Sequence, residues 1–409
     1  MSHSPDRRIL LVDADAFYVS VARLADPERA GRAPLLLVGG SAERRGVVMS
    51  ASYEARAYGV HSAMPMARAL RLCPGALVVP VPWQTCAQKS AQMRDVLVRF
   101  TPSVERASSD EFYLDLSGTE RLYRGEPLSG TARRIRAAVR DETQLSVSIG
   151  GGVSKLVAKL AAGVAKPRPG SGGEGVWVVS RGTEEEFMRR FSLADLPLVG
   201  PKAQERLGRR GLRTVTDVLP YDRTTLMQWL GEREGAWLYD RVRGVDASTV
   251  DAREIPRSLS RDETFPRDIA DDAGLTAELL RLADRASSDL RDAGLVARTV
   301  TVKLRDADFT TRQASRTLPA PVRSDRAVYT VACELLAKLR GARRVPARLV
   351  GVSLSQLFPA DARVQLSLFD PAGSGGIETE RDRTIASALD RVRERFGPDA
   401  LKRGRLGGV

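Results

Sequence analysis

The chain contains few of the side chains that build disulfide frameworks, zinc sites and histidine-dependent active sites. Among its 409 residues there are three cysteines and two histidines. Cys73, Cys86 and Cys333 are scattered and lack C-x-x-C spacing, which argues against a disulfide framework or a zinc site and is typical of a reducing cytoplasm. With only His3 and His61 present, catalytic triads that need a histidine have few candidates.

Long hydrophobic runs are missing as well. No stretch reaches the roughly 18 apolar residues of a membrane span, and the first residues lack the apolar core of a signal peptide. Apolar residues make up 43% of the chain and charged residues 28%, which is typical of a folded protein. Because one hydrophobic core rarely serves so long a chain, we expect roughly two to four domains.

The composition does contain an excess of positive charge. Lysine and arginine together number 64 and aspartate and glutamate 51, which gives a formal net charge of +13. Such an excess favours a polyanionic partner, with nucleic acid as the first choice and an anionic membrane surface as the second. Charge alone does not decide the matter, since arginine-rich chains are also common in high-GC genomes.

Apolar runs and turn-forming residues alternate along the chain and predict a mixed α and β protein. Apolar runs predict strands at 8–13, 34–38, 46–52 and 110–116. Periodic segments predict helices near 129–141, 154–165 and 378–396 and several short ones over 183–245. A Pro and Gly cluster at 167–175 indicates a boundary or an exposed loop. The order β-α-β-β-α-β over 253–360 predicts a compact α+β domain of about 100 residues.

Acidic residues lie at the ends of two predicted strands. Asp13 and Asp15 end the first strand and share one face, and Asp110 and Glu111 begin another. Acids at the ends of adjacent strands can converge if cations lie between them, and oxygen ligands without histidine or cysteine select Mg²⁺ or Mn²⁺. Helix caps or surface charges are the alternative, which an isolated Asp-x-Asp would favour. The second acidic pair shifts the balance toward a metal site.

Four motifs carry a resemblance to a known family. They are VDADAFY at 12–18, MSASYEARAYGV at 49–60, SSDEFYLDL at 108–116 and VAKLAAGVAKP at 157–167. In order and spacing they resemble the Y-family DNA polymerases, most closely the bacterial DinB type. The similarity extends over about residues 8 to 400.

The resemblance implies an α+β multidomain protein with the architecture of a right-hand polymerase. The expected parts are a palm at 1–18 and 83–172, fingers at 19–82, a helical thumb with a helix-hairpin-helix at 173–245, a linker at 246–256, a βαββαβ little-finger domain at 257–360 and a tail at 361–409.

The resemblance also assigns the acids. Asp13, Asp110 and Glu111 match the catalytic carboxylates that hold two Mg²⁺ ions, for which Mn²⁺ can substitute. Ala14 matches the position whose backbone carbonyl binds the metal on the nucleotide side, whereas Asp15 matches an acid that is usually structural.

Further positions match residues that bind the incoming nucleotide. Tyr18 matches the steric gate that stacks under the sugar and excludes a 2′-hydroxyl. Nucleotide binding is also expected of Phe17, Ser50, Tyr53, Arg56 and Lys166, with a position in the core as the alternative for Phe17. The segment V-S-K-L-V-A-K-L-A is shorter than the family pattern, so no role is carried over to Ser154 or Lys155.

Other matches predict macromolecular partners. In the hairpin L-V-G-P-K, Gly200 and Lys202 are expected to bind DNA phosphates, and the basic segment 312–348 adds Arg312 and Arg316. The peptide QLSLF resembles the segment by which bacterial polymerases hold the sliding β-clamp, with contacts expected from Gln365, Leu366, Leu368 and Phe369. The implied partners are primer-template DNA, dNTPs and the clamp, with no membrane, for a cytoplasmic monomer.

The activity implied by the resemblance is template-directed DNA synthesis of the translesion type, with nucleotidyl transfer from a dNTP to the primer 3′-hydroxyl at low fidelity. Two alternatives stay open. One is a non-catalytic relative that binds DNA and the clamp, but such relatives typically lack the metal acids that this chain retains. The other is a different palm-domain enzyme such as a nucleotide cyclase, which would leave the hairpin, the basic domain and the clamp peptide unexplained.

Overall fold

The computed structural model describes residues 7–167, 174–252, 255–361, 377–397 and 400–401. The chain divides into two compact units, the first formed by Met1–Ala42 and Gly46–Ala252 and the second by Glu43–Arg45 and Arg253–Val409. Within these described ranges, no helix is long and apolar enough to cross a bilayer.

The first unit combines two small sheets with short helices. Its described strands are β1 (Ile9–Ala14), β2 (Leu36–Gly39), β3 (Val48–Ala51), β4 (Leu77–Val79), β5 (Val104–Arg106), β6 (Glu111–Asp115), β7 (Val147–Gly152) and β8 (Val176–Val178). Its described helices are α1 (Phe17–Ala25), α2 (Tyr53–Arg56), α3 (Met66–Leu72), α4 (Trp83–Leu97), α5 (Leu128–Thr143), α6 (Lys155–Ala165), α7 (Glu184–Met188), α8 (Pro201–Gly208), α9 (Val215–Val218), α10 (Arg223–Leu230) and α11 (Glu232–Val242).

Strand β1 lies in the middle of a five-stranded sheet with the order β5-β6-β1-β7-β8. It pairs antiparallel with β6 and β7. Ile9 and Leu11 pack on one face against α6, whereas Leu10 and Val12 pack on the other face in the core formed with α4 and α5. Because both faces are covered, the strand is a continuous apolar run rather than an alternating one, which is why it could be predicted.

Helix α6 lies in backbone contact with β7 because glycine occupies position 150. A Cβ on Gly150 would lie 2.0 Å from the amide nitrogen of Ala162 and 2.1 Å from the carbonyl oxygen of Ala158, both in α6. No larger residue fits without a shift of the helix. This contact fixes the distance of α6 from the sheet, and with it the position of the polar side chains that the helix presents.

The remaining parts of the first unit are a second sheet and a cluster of helices. The second sheet has the order β3-β2-β4 and shares a small core with α2 and α3. Helices α7 to α11 share a core with part of α6. Helix α8 begins with Pro201 after Gly200 as its N-cap, a typical helix start.

The second unit contains one sheet and three described helices. Its elements are β9 (Ser258–Ile269), α12 (Asp272–Asp292), β10 (Leu295–Asp306), β11 (Thr311–Val322), α13 (Asp325–Ala342), β12 (Ala347–Pro359) and α14 (Glu380–Phe396). The sheet is antiparallel with the order β11-β10-β12-β9, and α12 and α13 cover one face over a large apolar core. The predicted order β-α-β-β-α-β is confirmed.

Helix α14 attaches to the second unit mainly through charged side chains. Arg291 of α12 forms a two-pronged ion pair with Asp390, with nitrogen–oxygen distances of 2.5 and 2.7 Å. Arg393 forms a similar pair with Asp284 at 3.1 and 2.9 Å. Geometry of this kind is the strong form of an arginine–carboxylate contact. The sequence predicted this helix but not what it would contact.

Replacing Gly150 with alanine is expected to destabilise the first unit, because the new methyl group would overlap backbone atoms of α6. Overpacking of this kind costs about 1–3 kcal/mol, which urea and thermal unfolding of the full chain would measure. Gly163→Ala is the matched control: Gly163 lies in α6 with open space around it, so alanine should stabilise the helix by about 0.8–1 kcal/mol. Equal stability of Gly150→Ala and the unmodified chain would contradict the close packing.

Candidate active site

The structure brings the three predicted catalytic acids to one end of the five-stranded sheet. Asp13 and Glu111 are direct partners in the β1–β6 ladder, where facing side chains have Cβ atoms about 4.5–5.5 Å apart. Asp110 comes immediately before β6, and its carbonyl oxygen accepts a hydrogen bond from the amide of Ala14 at 3.0 Å. The antiparallel pairing therefore joins two motifs that are far apart in the sequence.

A serine that the sequence reading left without a role fixes the turn at Asp110. The hydroxyl of Ser108 donates a hydrogen bond to the carboxylate of Asp110 at 2.5 Å. The same oxygen accepts hydrogen bonds from the amides of Asp110 at 3.2 Å and Glu111 at 3.0 Å. Side-chain contacts of this type are typical of turns, and here the turn orients two acids at once.

Two lysines of the α6 region contact the acids. The Nζ atom of Lys159 lies 2.8 Å from both carboxylate oxygens of Glu111, and that of Lys166 lies 2.9 Å from Oδ2 of Asp13. The pKa of Asp13 is raised to about 6, foremost by burial and further by the charges of Glu111 and Asp110, while Lys166 opposes the rise. Burial therefore makes the charged form of Asp13 costly, and Lys166 offsets part of that cost.

The oxygen atoms of Asp13, Asp110 and Glu111 suit a hard divalent cation, but they do not form a preorganised metal site. All the candidate ligands are oxygens, the type that Mg²⁺ and Mn²⁺ select. Burial, and further the charges of Glu111 and Asp110, raise the pKa of Asp13, and added positive charge would oppose this rise. In the described part of the chain, no group of three or more acidic, histidine or cysteine side chains stands in position to share a metal ion. Two of the three acids, Glu111 and Asp13, are paired with lysines instead.

Asp15, the fourth acid of the region, has its hydrogen bonds within the protein. Its Oδ1 accepts from the hydroxyl of Ser148 at 2.7 Å and its Oδ2 from that of Ser146 at 2.9 Å. The side chain is buried. Asp15 thus ties β1 to β7, as an acid with a structural role would, and the two serines that fix it carried no signal in the sequence.

The turn after β1 presents one aromatic ring to the core and one to the site. Ala16 has a left-handed backbone conformation with φ 45°, and α1 begins at the next residue. Phe17 is buried in the core. Tyr18 is half-buried, and its ring meets that of Trp83 edge to face at a centroid distance of 6.1 Å. Burial raises the pKa of the Tyr18 hydroxyl, and a hydrogen bond with Ser109 opposes the rise.

Three of the residues predicted to bind the nucleotide lie in the smaller sheet and in α2. Ser50 is buried in β3. The guanidinium of Arg56 lies 5.0 Å from the centre of the Tyr53 ring and donates to the carbonyl of Ala51 at 3.0 Å. The pKa of Tyr53 is raised by burial and by the charge of Asp15, and lowered in part by Arg56. Tyr53 therefore lies within electrostatic reach of the acids.

Ser154 and Lys155, to which the family resemblance assigned no role, have structural contacts. Ser154 caps α6, accepting from the amide of Val157 at 3.2 Å and donating to the carbonyl of Gly244 at 3.0 Å. Lys155 forms an ion pair with Glu105 of β5 at 2.6 Å. Both residues hold the beginning of α6 in place.

The predicted phosphate-binding hairpin leaves the start of α8 open. Gly200 provides no side-chain cap and Lys202 is exposed, and the first amides of a helix have no partner within the helix. Leu198 in the preceding turn has a φ of 73° and is 82% exposed. A leucine in a left-handed, solvent-facing position is unusual.

In the second unit the two predicted DNA-binding arginines lie on the helix-covered side of the sheet. Arg312, Ala314 and Arg316 lie two residues apart along β11. Ala314, the middle one, packs against the core. Arg312 pairs with Asp306 at 3.0 Å, and Arg316 pairs with Glu334 of α13. Side chains two apart in a strand share a face, so neither arginine points to the open face. Their role in DNA binding stays a prediction.

The open face of that sheet carries hydroxyl groups, a lysine and an arginine, Arg305, which donates to the hydroxyl of Thr311 at 2.8 Å. Thr301 and Ser315 share a hydrogen bond at 2.9 Å across β10 and β11, and a second such pair joins Thr299 and Thr317. Lys303 pairs with Asp262 at 2.5 Å. Counting charges along the sequence could not identify this row, because its members are mostly neutral.

The predicted clamp-binding residues lie outside the described ranges. They are Gln365, Leu366, Leu368 and Phe369.

Comparison with known proteins supplies the family. The impB/mucB/samB family matches residues 12–163 and its C-terminal domain residues 256–368, and the thumb domain of DNA polymerase-iota matches residues 194–246. A DNA polymerase IV of Halorhodospira halophila is 38% identical over 353 residues, covering 86% of this chain and 96% of that protein. One from Desulfatibacillum aliphaticivorans is 36% identical over 401 residues, covering 97% and 96%.

A solved structure agrees in fold. The chimera Y-family DNA polymerase Dbh-Dpo4(243-245)-Dbh superposes with a TM-score of 0.76 and 23% identity, covering 86% of this chain and 99% of the chimera. The predicted fold class, a right-hand polymerase with palm, fingers, helical thumb and βαββαβ little finger, is confirmed. The chain belongs to the DinB-type branch of the Y-family of DNA-directed DNA polymerases.

Proposed function

We propose that this polymerase joins nucleotides by a two-metal reaction at Asp13, Asp110 and Glu111 and that it copies damaged templates at low fidelity. The observation that carries the metal site is the cross-strand pairing of Asp13 with Glu111 beside the serine-fixed turn at Asp110. In a chain of this family, that arrangement is most simply explained by a shared cation site. Primer-template DNA and dNTPs are the substrates of such an enzyme.

The three carboxylates and the carbonyl of Ala14 would hold two Mg²⁺ or Mn²⁺ ions. When bound, the ions would stabilise the attacking and leaving oxygens of the transfer. We assign Asp13 and Asp110 as shared ligands and Glu111 as a ligand on the side of the primer 3′-hydroxyl. Asp15 is left out of the ligand set, because both its oxygens already accept hydrogen bonds from serines.

The residues that match the nucleotide-binding positions of the family would bind the incoming nucleotide. Arg56 offers a forked cation for phosphate oxygens, and Tyr53 beside it offers a hydroxyl. Lys166, now paired with Asp13, would reach the triphosphate. Ser50 is buried and would act through the backbone around it, while Phe17 supports Tyr18 from the core.

For DNA binding we propose two surfaces, one on each unit. At Gly200 and Lys202, the open amides of α8 and the lysine charge would bind phosphates without reading sequence. In the second unit, the hydroxyl row and Lys303 on the open sheet face would follow the backbone. Arg312 would stabilise β11 from the helix-covered face of the sheet. Contacts of this kind make binding depend steeply on salt.

The proposed domain limits are those that the resemblance implies, with the palm divided between 1–18 and 83–172 and the little finger at 257–360. The accessory-protein alternative is not favoured, because all three catalytic acids are present in a chain that is similar to named polymerases over nearly its whole length.

The catalytic assignment predicts that Asp110→Asn or Glu111→Gln lowers primer extension with Mg²⁺ at least a hundred- to thousandfold, on the order of the loss of a transition-state charge contact. Extension of a labelled primer measures the effect. Asp141→Asn, at an exposed acid of α5, is the control and should extend normally. Normal extension by the Glu111 variant would refute the assignment, and the same assay on damaged templates tests lesion bypass.

The steric-gate assignment predicts that Tyr18→Ala admits ribonucleotides. Relief of a clash of roughly 1–3 kcal/mol corresponds to an increase of about 10- to 200-fold in rNTP relative to dNTP incorporation. Tyr18→Phe keeps the ring and loses only the hydroxyl, so it should discriminate like the unmodified enzyme. If the phenylalanine variant also admits ribonucleotides, the hydroxyl rather than the bulk of the ring makes the selection.

The clamp assignment rests on the sequence QLSLF at 365–369. Replacing Gln365 and Phe369 together with alanine should abolish the stimulation of synthesis by the sliding β-clamp and leave unstimulated synthesis intact. Ser367→Ala changes the variable position of the same peptide and should keep the stimulation. If the clamp stimulates the unmodified protein, the double alanine variant and Ser367→Ala equally, this peptide is excluded as the clamp-binding segment.

A further inference from the structure

Three lysines at helix α6 each form an ion pair with an acid of a different strand. The pairs are Lys155 with Glu105 of β5, Lys159 with Glu111 of β6 and Lys166 with Asp13 of β1. Two of these acids belong to the proposed metal site, and Glu105 does not. The helix thus presents the same kind of contact twice inside the site and once outside it.

The pair between Lys159 and Glu111 uses the whole carboxylate. The ammonium nitrogen is 2.8 Å from each of the two oxygens, so neither oxygen is left without a cation. The side chains are 36% and 24% exposed, which leaves room for the lysine to swing into solvent. Since Gly150 fixes α6 against β7, the pair opens by side-chain motion rather than by a shift of the helix.

Lysine contacts occupy two of the three acids of the proposed metal site. Asp13 and Glu111 face each other across two strands, yet no group of three acidic, histidine or cysteine side chains in the described ranges is in position to share an ion. Each of these two carboxylates has an ammonium group as its partner. An unpaired carboxylate in a half-buried site is costly, and the lysines remove that cost when no other cation is present.

We propose that Lys159 and Lys166 are resident counterions of the catalytic carboxylates, which release Glu111 and Asp13 when these take up divalent cations. This inference rests on the proposed metal site. Lys159 stabilises the free enzyme and, by the same contact, weakens metal binding at Glu111. Lys166 leaves Asp13 for the triphosphate, so its release is tied to the arrival of the nucleotide.

The test compares Mn²⁺ binding, followed by electron paramagnetic resonance of the free ion, for the full-length protein and for Lys159→Met. Methionine keeps the length of the side chain and removes its charge. A half-exposed ion pair is worth up to about 1 kcal/mol, so the variant should bind Mn²⁺ about two- to fivefold more tightly. Lys159→Gln, a neutral polar replacement, should behave alike and serves if the methionine variant folds poorly.

Lys155→Met is the matched control, because it breaks a pair of the same helix with an acid outside the metal site. Its Mn²⁺ affinity should equal that of the unmodified protein. Thermal unfolding gives a second readout. Without metal, Lys159→Met should have a lower Tm than the unmodified protein. Saturating Mn²⁺ should raise the Tm of Lys159→Met by more than it raises the Tm of the unmodified protein.

The possible outcomes distinguish a failure of the counterion role of Lys159 from a failure of the proposed metal site. If the unmodified protein binds no Mn²⁺, or if Asp110→Ala with Glu111→Ala binds it equally well, the proposed metal site is wrong. If binding needs those acids but Lys159→Met binds Mn²⁺ no more tightly than the unmodified protein, the counterion role is wrong and the metal site stands. A gain in affinity shared by Lys155→Met would reduce the effect to general charge removal, which also refutes the specific pairing.

Discussion

The backbone contact between α6 and β7 determines where most of the chemistry of this polymerase can lie. Gly150 allows the helix to approach the sheet until their backbones touch, and the small residues Ala158 and Ala162 complete the fit beneath β1. At that distance the side chains of Lys159 and Lys166 reach the acids at the strand ends. The ion pairs at Glu111 and Asp13 are consequences of this spacing, because a bulkier contact would carry the ammonium groups away from the acids.

Much of this arrangement could be predicted from the sequence. The continuous apolar run of β1 identified a strand covered on both faces, and the acid that ends it marked one edge of the sheet. The order of elements in the second unit followed from alternating strand and helix patterns. These features depend on local periodicity and on a resemblance with several specific motifs, so they need no knowledge of which residues meet across the fold.

Other features depend on long-range contacts that no local pattern records. Ser146 and Ser148 bind Asp15 from a strand distant in sequence, and a serine is too common to attract attention there. The basic residues of 312–348 were counted together, although the alternation of side chains along β11 turns Arg312 and Arg316 toward α13. Counts of charge give the sign of a segment, whereas the face on which each charge lies is decided by strand parity and packing.

The attachment of α14 has a consequence for how the second unit responds to its surroundings. Asp382 and Ala386 are the buried residues of this helix, and its contacts include the two-pronged arginine–carboxylate pairs at Asp390 and Asp284. Detachment would therefore uncover charged groups, which water and salt ions readily solvate, and little of the apolar core. Because the side chains of these pairs are largely buried, salt screens them much less than it screens surface pairs, so α14 should stay attached at ionic strengths that dissolve exposed ion pairs.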